Sequence, residues 1–312
     1  MPTIKEARAA NAAHTFSYIP VALFAGGTSG IGQAMAEEFA KLTNGNAHII
    51  ILGRNRVAAE SIIARFPTPT SPDAHHEFVE CDVSLMKNVQ KTTQSITSRL
   101  QRINFLVLST GVIEFNGRNE TEEGMAKMLA VAYYARWKFI QDLAPLLQKA
   151  KDDGQDAAVM TVASPYRSNK IDLGDFGLRK HYSIRTVAAA GGTYQDLMVD
   201  GFAKRYPSVF FIHIHPGAVR TPIFDLFKHW ALRPLNWTFK FLSYPFTISP
   251  EHCAQYMLWV LFLPNSGGTR RDEWGGDMGP NPYHNDDETV EKLWEHTSAE
   301  VERAIACSSS SA

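Results

Sequence analysis

Val21-Ala22-Leu23-Phe24-Ala25-Gly26-Gly27-Thr28-Ser29-Gly30-Ile31-Gly32 is the stretch whose reading decides the fold. An apolar run stops at a glycine-rich turn, and Gln33 to Leu42 then shows apolar residues at helical spacing. Strand, glycine turn and helix in this order suit a dinucleotide. The glycines let the backbone turn tightly and approach a pyrophosphate, while the helix N-terminus offers N–H groups and the positive end of its dipole. The spacing is Gly-x-x-x-Gly-x-Gly rather than the commoner Gly-x-Gly-x-x-Gly. A glycine turn without a ligand is the plain alternative, so the rest of the chain has to decide.

Downstream, apolar runs and helical stretches alternate. Further strands are expected at 47–52, 77–81, 104–109, 157–162 and 209–214, with a late edge strand over 271–278. Helices are expected at 57–66, from a cap at Ser84 to about Leu100, at 121–149, 193–206, 250–263 and 287–306. Continuous apolar strands between helices predict an α/β protein, a doubly wound Rossmann-like parallel sheet in a single domain. The expected organisation is an N-terminal extension over 1–17, one domain over 18–306 and a disordered tail over 307–312. Thr221 to Thr247 is dense in aromatic residues and reads as an apolar substrate lid, with an interfacial membrane anchor or plain core packing as its rivals.

Composition narrows the function. With 45% hydrophobic residues and a formal net charge of -1, nothing supports nucleic-acid binding. Cys81, Cys253 and Cys307 lack metal-like spacing and suit a reducing compartment, so no metal is expected and a cytoplasmic location is. The N-terminus has no signal-peptide core, and no run is long enough for a transmembrane segment.

From Val21 to Thr221 the order of motifs resembles the short-chain dehydrogenase/reductase family. Gly26, Gly30 and Gly32 stand at its phosphate-loop glycines, with Thr28, Ser29 and Ile31 in the same turn. Asp82, followed by Val83, stands where the family contacts adenine. Ser109-Thr110-Gly111 replaces its usual Asn-Ala-Gly. Pro216-Gly217-Ala218-Val219-Arg220-Thr221 matches the segment that holds the nicotinamide carboxamide. At the end of the second strand Arg54, followed by Asn55, takes the place where a carboxylate would select an unphosphorylated ribose. An arginine there pairs a 2′-phosphate through its fork, Arg56 beside it strengthens that reading, and NADP(H) is the expected cofactor.

The catalytic set departs from the family. The resemblance assigns Ser164 to the serine that meets the substrate oxygen and Tyr194 to the tyrosine. Met198 then stands where the family has lysine, and Ala132 where it has asparagine on the long helix. Tyr182, with Arg185 three positions on, is a second candidate, but it falls in a stretch that reads as an insertion before the catalytic helix. The expected function is an NADPH-dependent oxidoreductase, favouring carbonyl reduction of a small, apolar, secondary-metabolite substrate. A non-redox isomerase, cyclase or dehydratase, or a non-catalytic NADP(H)-binding protein, is kept open by Met198 and Ala132. The family resemblance also implies a homodimer or homotetramer paired through the long helices.

Overall fold

Apolar runs with no polar alternation can only be strands covered on both faces. In the computed structural model, which describes residues 1–165, 170–222, 244–284 and 286–309, such runs make the five inner strands of one seven-stranded sheet, and polar segments make its two edges. The strands are β1 (Val21–Ala25), β2 (His48–Gly53), β3 (His75–Glu80), β4 (Phe105–Leu108), β5 (Ala158–Val162), β6 (Phe210–Ile214) and β7 (Gly267–Arg271). All pairs are parallel and the order is β3-β2-β1-β4-β5-β6-β7. The direction of winding reverses between β1 and β4. A doubly wound sheet leaves its ligand crevice there, beyond the C-terminal ends of the strands.

The helices, in chain order, are α1 (Ile4–Ala13), α2 (Gly30–Leu42), α3 (Arg56–Ile63), α4 (Met86–Thr97) and a long α5. That helix has three parts: Lys127–Leu129, a π-helical turn at Ala130–Tyr134, and Ala135–Asp152. Then come α6 (Ile184–Arg205), α7 (Pro250–Leu261) and α8 (Asp287–Ser309). Successive residues of β1 feed opposite apolar layers: Leu23 and Ala25 pack with α4, α5, α6 and α8, while Ala22 and Phe24 pack with α2, α3 and α7.

Several expected boundaries move, each for a local reason. Ser84 does not cap α4. It sits in the turn made by Asp82, and the Glu123 carboxylate instead accepts from the Met86 (2.6 Å) and Lys87 (2.9 Å) amides. The long helix begins at Lys127 because Thr121 to Met125 closes a turn, the Thr121 amide donating to the Met125 carbonyl. Helix α6 begins at Ile184, not Thr193, because Ser183 and Thr186 form a reciprocal capping box; residues 184–190 are helix rather than inserted loop. The edge strand is Gly267–Arg271, and Arg271 then bridges back to Asp277. Residues 4–13 of the N-terminal segment are a helix packed on α7, with Asn11 Nδ2 donating to the Gln255 carbonyl at 2.8 Å.

Helix α8 closes the layer over α5 and α6. The Trp294 ring lies 5.2 Å from Trp137 and 4.7 Å from Phe202, and the Arg205 guanidinium stacks on it at 3.6 Å. Tyr133 bonds Thr297 at 2.7 Å and Tyr134 bonds His296 at 2.9 Å. At these residues the long helix α5 is covered by the chain's own α8. Most of the expected lid, 223–243, lies outside the described residues.

Candidate active site

The cleft at the C-terminal ends of β1, β2, β4, β5 and β6 has a volume of about 510 Å³, a size suited to a small ligand or cofactor. Its floor is the glycine turn. Gly26 has φ +87°, a backbone conformation that side chains resist. Gly32 has ordinary dihedrals but no room. A Cβ on it would stand 2.4 Å from Ser109 Oγ and 2.6 Å from the Gly26 carbonyl oxygen. Ser109 Oγ is held there by donating to the Ala25 carbonyl at 3.1 Å. At the start of α2, Ser29 makes no side-chain cap, so the first-turn amides are left for an anion.

The flanks follow from strand ends. Arg54 lines the cleft just past β2, is exposed, and has no carboxylate partner among the described residues. Arg56 does not join it. That side chain lies over the Phe78 ring and reaches Glu80 at 3.5 Å and Glu60 at 3.8 Å, on the outside of α3. Asn55 is also engaged elsewhere, its side chain capping α3 by accepting from the Ala58 amide at 3.0 Å. Asp82, Val83 and Ser84 line the cleft past β3, and Ser109, Thr110 and Gly111 past β4. Past β6, Pro216, Gly217, Val219 and Thr221 close the far side. Thr221 comes over the glycine turn so closely that a Cβ on Gly30 would be 3.2 Å from its Cγ2.

The matches with known proteins fit this geometry. Residues 20–174 match the short chain dehydrogenase family. Oxidoreductase AN1596 of Emericella nidulans is 32% identical over 79% of this chain and 71% of its own length. Oxidoreductase andH of Emericella variicolor is 31% identical over 83% of this chain and 75% of its own. The chain belongs to the short-chain dehydrogenase/reductase family. An NADPH-bound carbonyl reductase from chicken fatty liver shares the fold, with a TM-score of 0.61 and 19% identity over 84% of this chain and 99% of that one.

At the other end of the cleft the family's side chains are not where the sequence puts them. Helix α6 is buried all round, and three consecutive residues of it point three ways. Tyr194 turns toward α5 and α8: it is 1% exposed, its ring packs by Tyr133 and Phe176, and its hydroxyl donates to the Phe176 carbonyl at 3.0 Å. Burial pushes that phenol well above its ordinary pKa. Asp196 turns toward β6 and β7, meeting His213 Nδ1 at 2.6 Å and Arg270 Nε at 3.2 Å, and accepting from Asn281 Nδ2 at 2.8 Å. Gln195 turns toward β5, accepting from Arg136 Nη1 at 2.6 Å, and is itself buried and not among the cleft-lining residues. The expected tyrosine, one residue or about 100° round the helix from it, does not line the cleft either. Met198, one turn on, is buried with it.

The face of α6 that carries Gln195 continues backward through Gly191 and Ala188, which have no hydroxyl or amine. Gly191 is buried. Tyr182 is half-buried, and neither it nor any other described tyrosine lines the cleft. Ser164, two residues past β5, is half-buried and not among the lining residues, although Val162 is.

Arg136 does line it. This residue lies one turn beyond Ala132 on α5 and is 3% exposed. Its Nη1 donates to Thr161 Oγ1 (2.6 Å), the Val162 carbonyl (3.0 Å) and Gln195 Oε1 (2.6 Å), and its Nη2 to the Thr110 carbonyl at 2.5 Å. Lys127 and Glu114, paired at 2.9 Å, complete the rim. The sequence reading missed Arg136, Gln195, Lys127 and Glu114. For Arg136 a signal existed: it is four residues after Ala132 and so shares the face assigned to the site.

Proposed function

We propose that this family member is an NADP(H)-dependent oxidoreductase, working in the carbonyl-reducing direction on an apolar, secondary-metabolite substrate. The observation that carries the cofactor assignment is Arg54, set at the end of β2 on the cleft wall with no described carboxylate beside it. A guanidinium there favours a phosphate over a bare ribose diol. The cradle fits the rest of the cofactor. Gly26, Gly30 and Gly32 leave space only a bare backbone can provide; the amides of Ile31 and Gly32 would hold the diphosphate, Asp82 the adenine, and Pro216 to Thr221 the carboxamide. A bound nicotinamide would supply the hydride chemistry. The chain's own part would be to hold the cofactor and to present the cleft's polar groups, Thr110 and Arg136 among them, to the substrate oxygen.

The non-redox alternative is favoured by one observation: no described residue of α6, and so neither Tyr194 nor Met198, lines the cleft. Titration of the purified protein with NADPH and NADH tests the first reading, with tighter binding of NADPH expected. Loss of NADPH absorbance with a panel of apolar ketones tests the second. Tight binding without consumption would favour a non-redox role, and a preference for NADH would remove the assignment of Arg54.

A further inference from the structure

A guanidinium deep inside a protein is normally met by a carboxylate. Arg136 is not. Of its five N–H groups, Nη1 meets two side-chain oxygens and a carbonyl, Nη2 meets one carbonyl, and Nε is buried with no described partner. Every described acceptor is neutral. Burial without a counter-ion brings the proton affinity of this group down to about 9.

The cleft does not neutralise the charge either. Its lining carboxylates are Glu114 and Asp82. Glu114 is paired with Lys127. Asp82 accepts from the Ser84 amide past β3, which is three strands away from β4 and so roughly 15 Å along the sheet. Arg54 already answers a phosphate beyond β2. What remains is a cation held between the ends of β4 and β5, lining the cleft beside Thr110 and Val162.

We propose that Arg136 forms an anion subsite for the substrate, which presents there a carboxylate or enolate oxygen next to its reacting carbonyl group. This rests on the reading of the cleft as a cofactor site with substrate at the β4–β5 end. The substrate is then apolar in its body and acidic at the reacting end. Gln195 and Thr161 hold the guanidinium in place without cancelling its charge, as a glutamate at 195 would.

The probe is 4-nitrophenol, whose ionisation is visible by absorbance, titrated with and without NADP⁺. Bound to the wild-type protein its pKa should fall by about one to three units, the effect of an opposite charge at close range. Arg136→Met should abolish the shift and Arg136→Lys should keep part of it. Because Arg136→Met also removes ties between β4, β5 and α6, Gln195→Glu is the decisive variant: it keeps the arginine and neutralises it, and should abolish the shift in a folded protein. An equal shift in wild type and Gln195→Glu, or no binding of the probe at millimolar concentration, overturns the proposal. The two readings fail separately. Failure to bind NADPH with the Arg136-dependent shift intact removes the cofactor reading alone, and NADPH binding with an unchanged shift in Gln195→Glu removes the subsite alone.

Discussion

The two ends of the cleft are built from different material. Around β1, β2 and β3 the site is made of backbone, and its rules are written as glycines: Gly32 is there because Ser109 Oγ and the Gly26 carbonyl leave no space for a side chain. Around α5 and α6 the site is made of side chains, and its rule is helical phase. One residue of error there turns a catalytic tyrosine into a core tyrosine. A motif made of missing atoms survives sequence divergence visibly, whereas a motif made of one functional group per helical turn does not.

The sharpest way to break this contrast is to give the backbone end a side chain. Gly32→Ala puts a Cβ within 2.4 Å of Ser109 Oγ and 2.6 Å of a carbonyl oxygen. Overpacking of this kind costs about 1–3 kcal/mol of stability. Displacement of the amide cradle should lower NADPH affinity by about 100-fold or more, a loss of roughly 2.7 kcal/mol, read by fluorescence titration. Retained affinity would mean that the cradle does not hold the diphosphate.

Arg54→Asp comes next. Removing a charge-assisted phosphate contact is worth about 1.5–3 kcal/mol, so NADPH binding should weaken by about 10- to 150-fold while NADH binding improves. Equal losses for both nucleotides would make Arg54 a structural residue.

The side-chain end predicts the opposite kind of result. Tyr194→Phe removes only the bond to the Phe176 carbonyl. Stability should fall by about 1 kcal/mol in urea unfolding, with turnover unchanged within about twofold. A hundredfold drop in turnover with stability intact would restore Tyr194 to the site and overturn the helical phase described above.

The smallest effect concerns pH. Burial holds His296, behind Tyr134, below its ordinary pKa, and does the same to His14. Near their ordinary pKa the fold holds fewer protons on them than the unfolded chain does. Their contribution is therefore complete above about pH 6.5 and is lost as the pH falls below it. The thermal midpoint should decline from pH 7.5 to 5.5; a rise over that range would refute the assignment.

The same division explains what the sequence could tell. The inner strands, the parallel doubly wound sheet and the glycine turn were legible because apolar runs and glycines act through burial and sterics, which a single chain displays. The start of α6 was misjudged because Ser183–Thr186, the capping box, sits in a stretch that reads as a loop when the tyrosine is placed first. The Glu123 cap on α4 could not be read at all, since its partners are Met86 and Lys87, far away in sequence. Arg136 was hidden by its setting, a charged residue between Ala135 and Trp137 on a helix that looked merely amphipathic.

Helix α8 gives the protein a timetable. It leaves the ribosome after every other described element, yet Trp294 fills the seam between α5 and α6, and Arg303 Nη1 grips the carbonyl of Glu123, the residue that caps α4. A nascent chain stopped near residue 284 has all seven strands and the glycine cradle but carries an open apolar seam and an untethered cap beside the adenine end of the cleft. Such an intermediate would expose apolar surface of the kind that invites aggregation, and a nucleotide held by its cradle would be the earliest ligand able to steady it until α8 arrives.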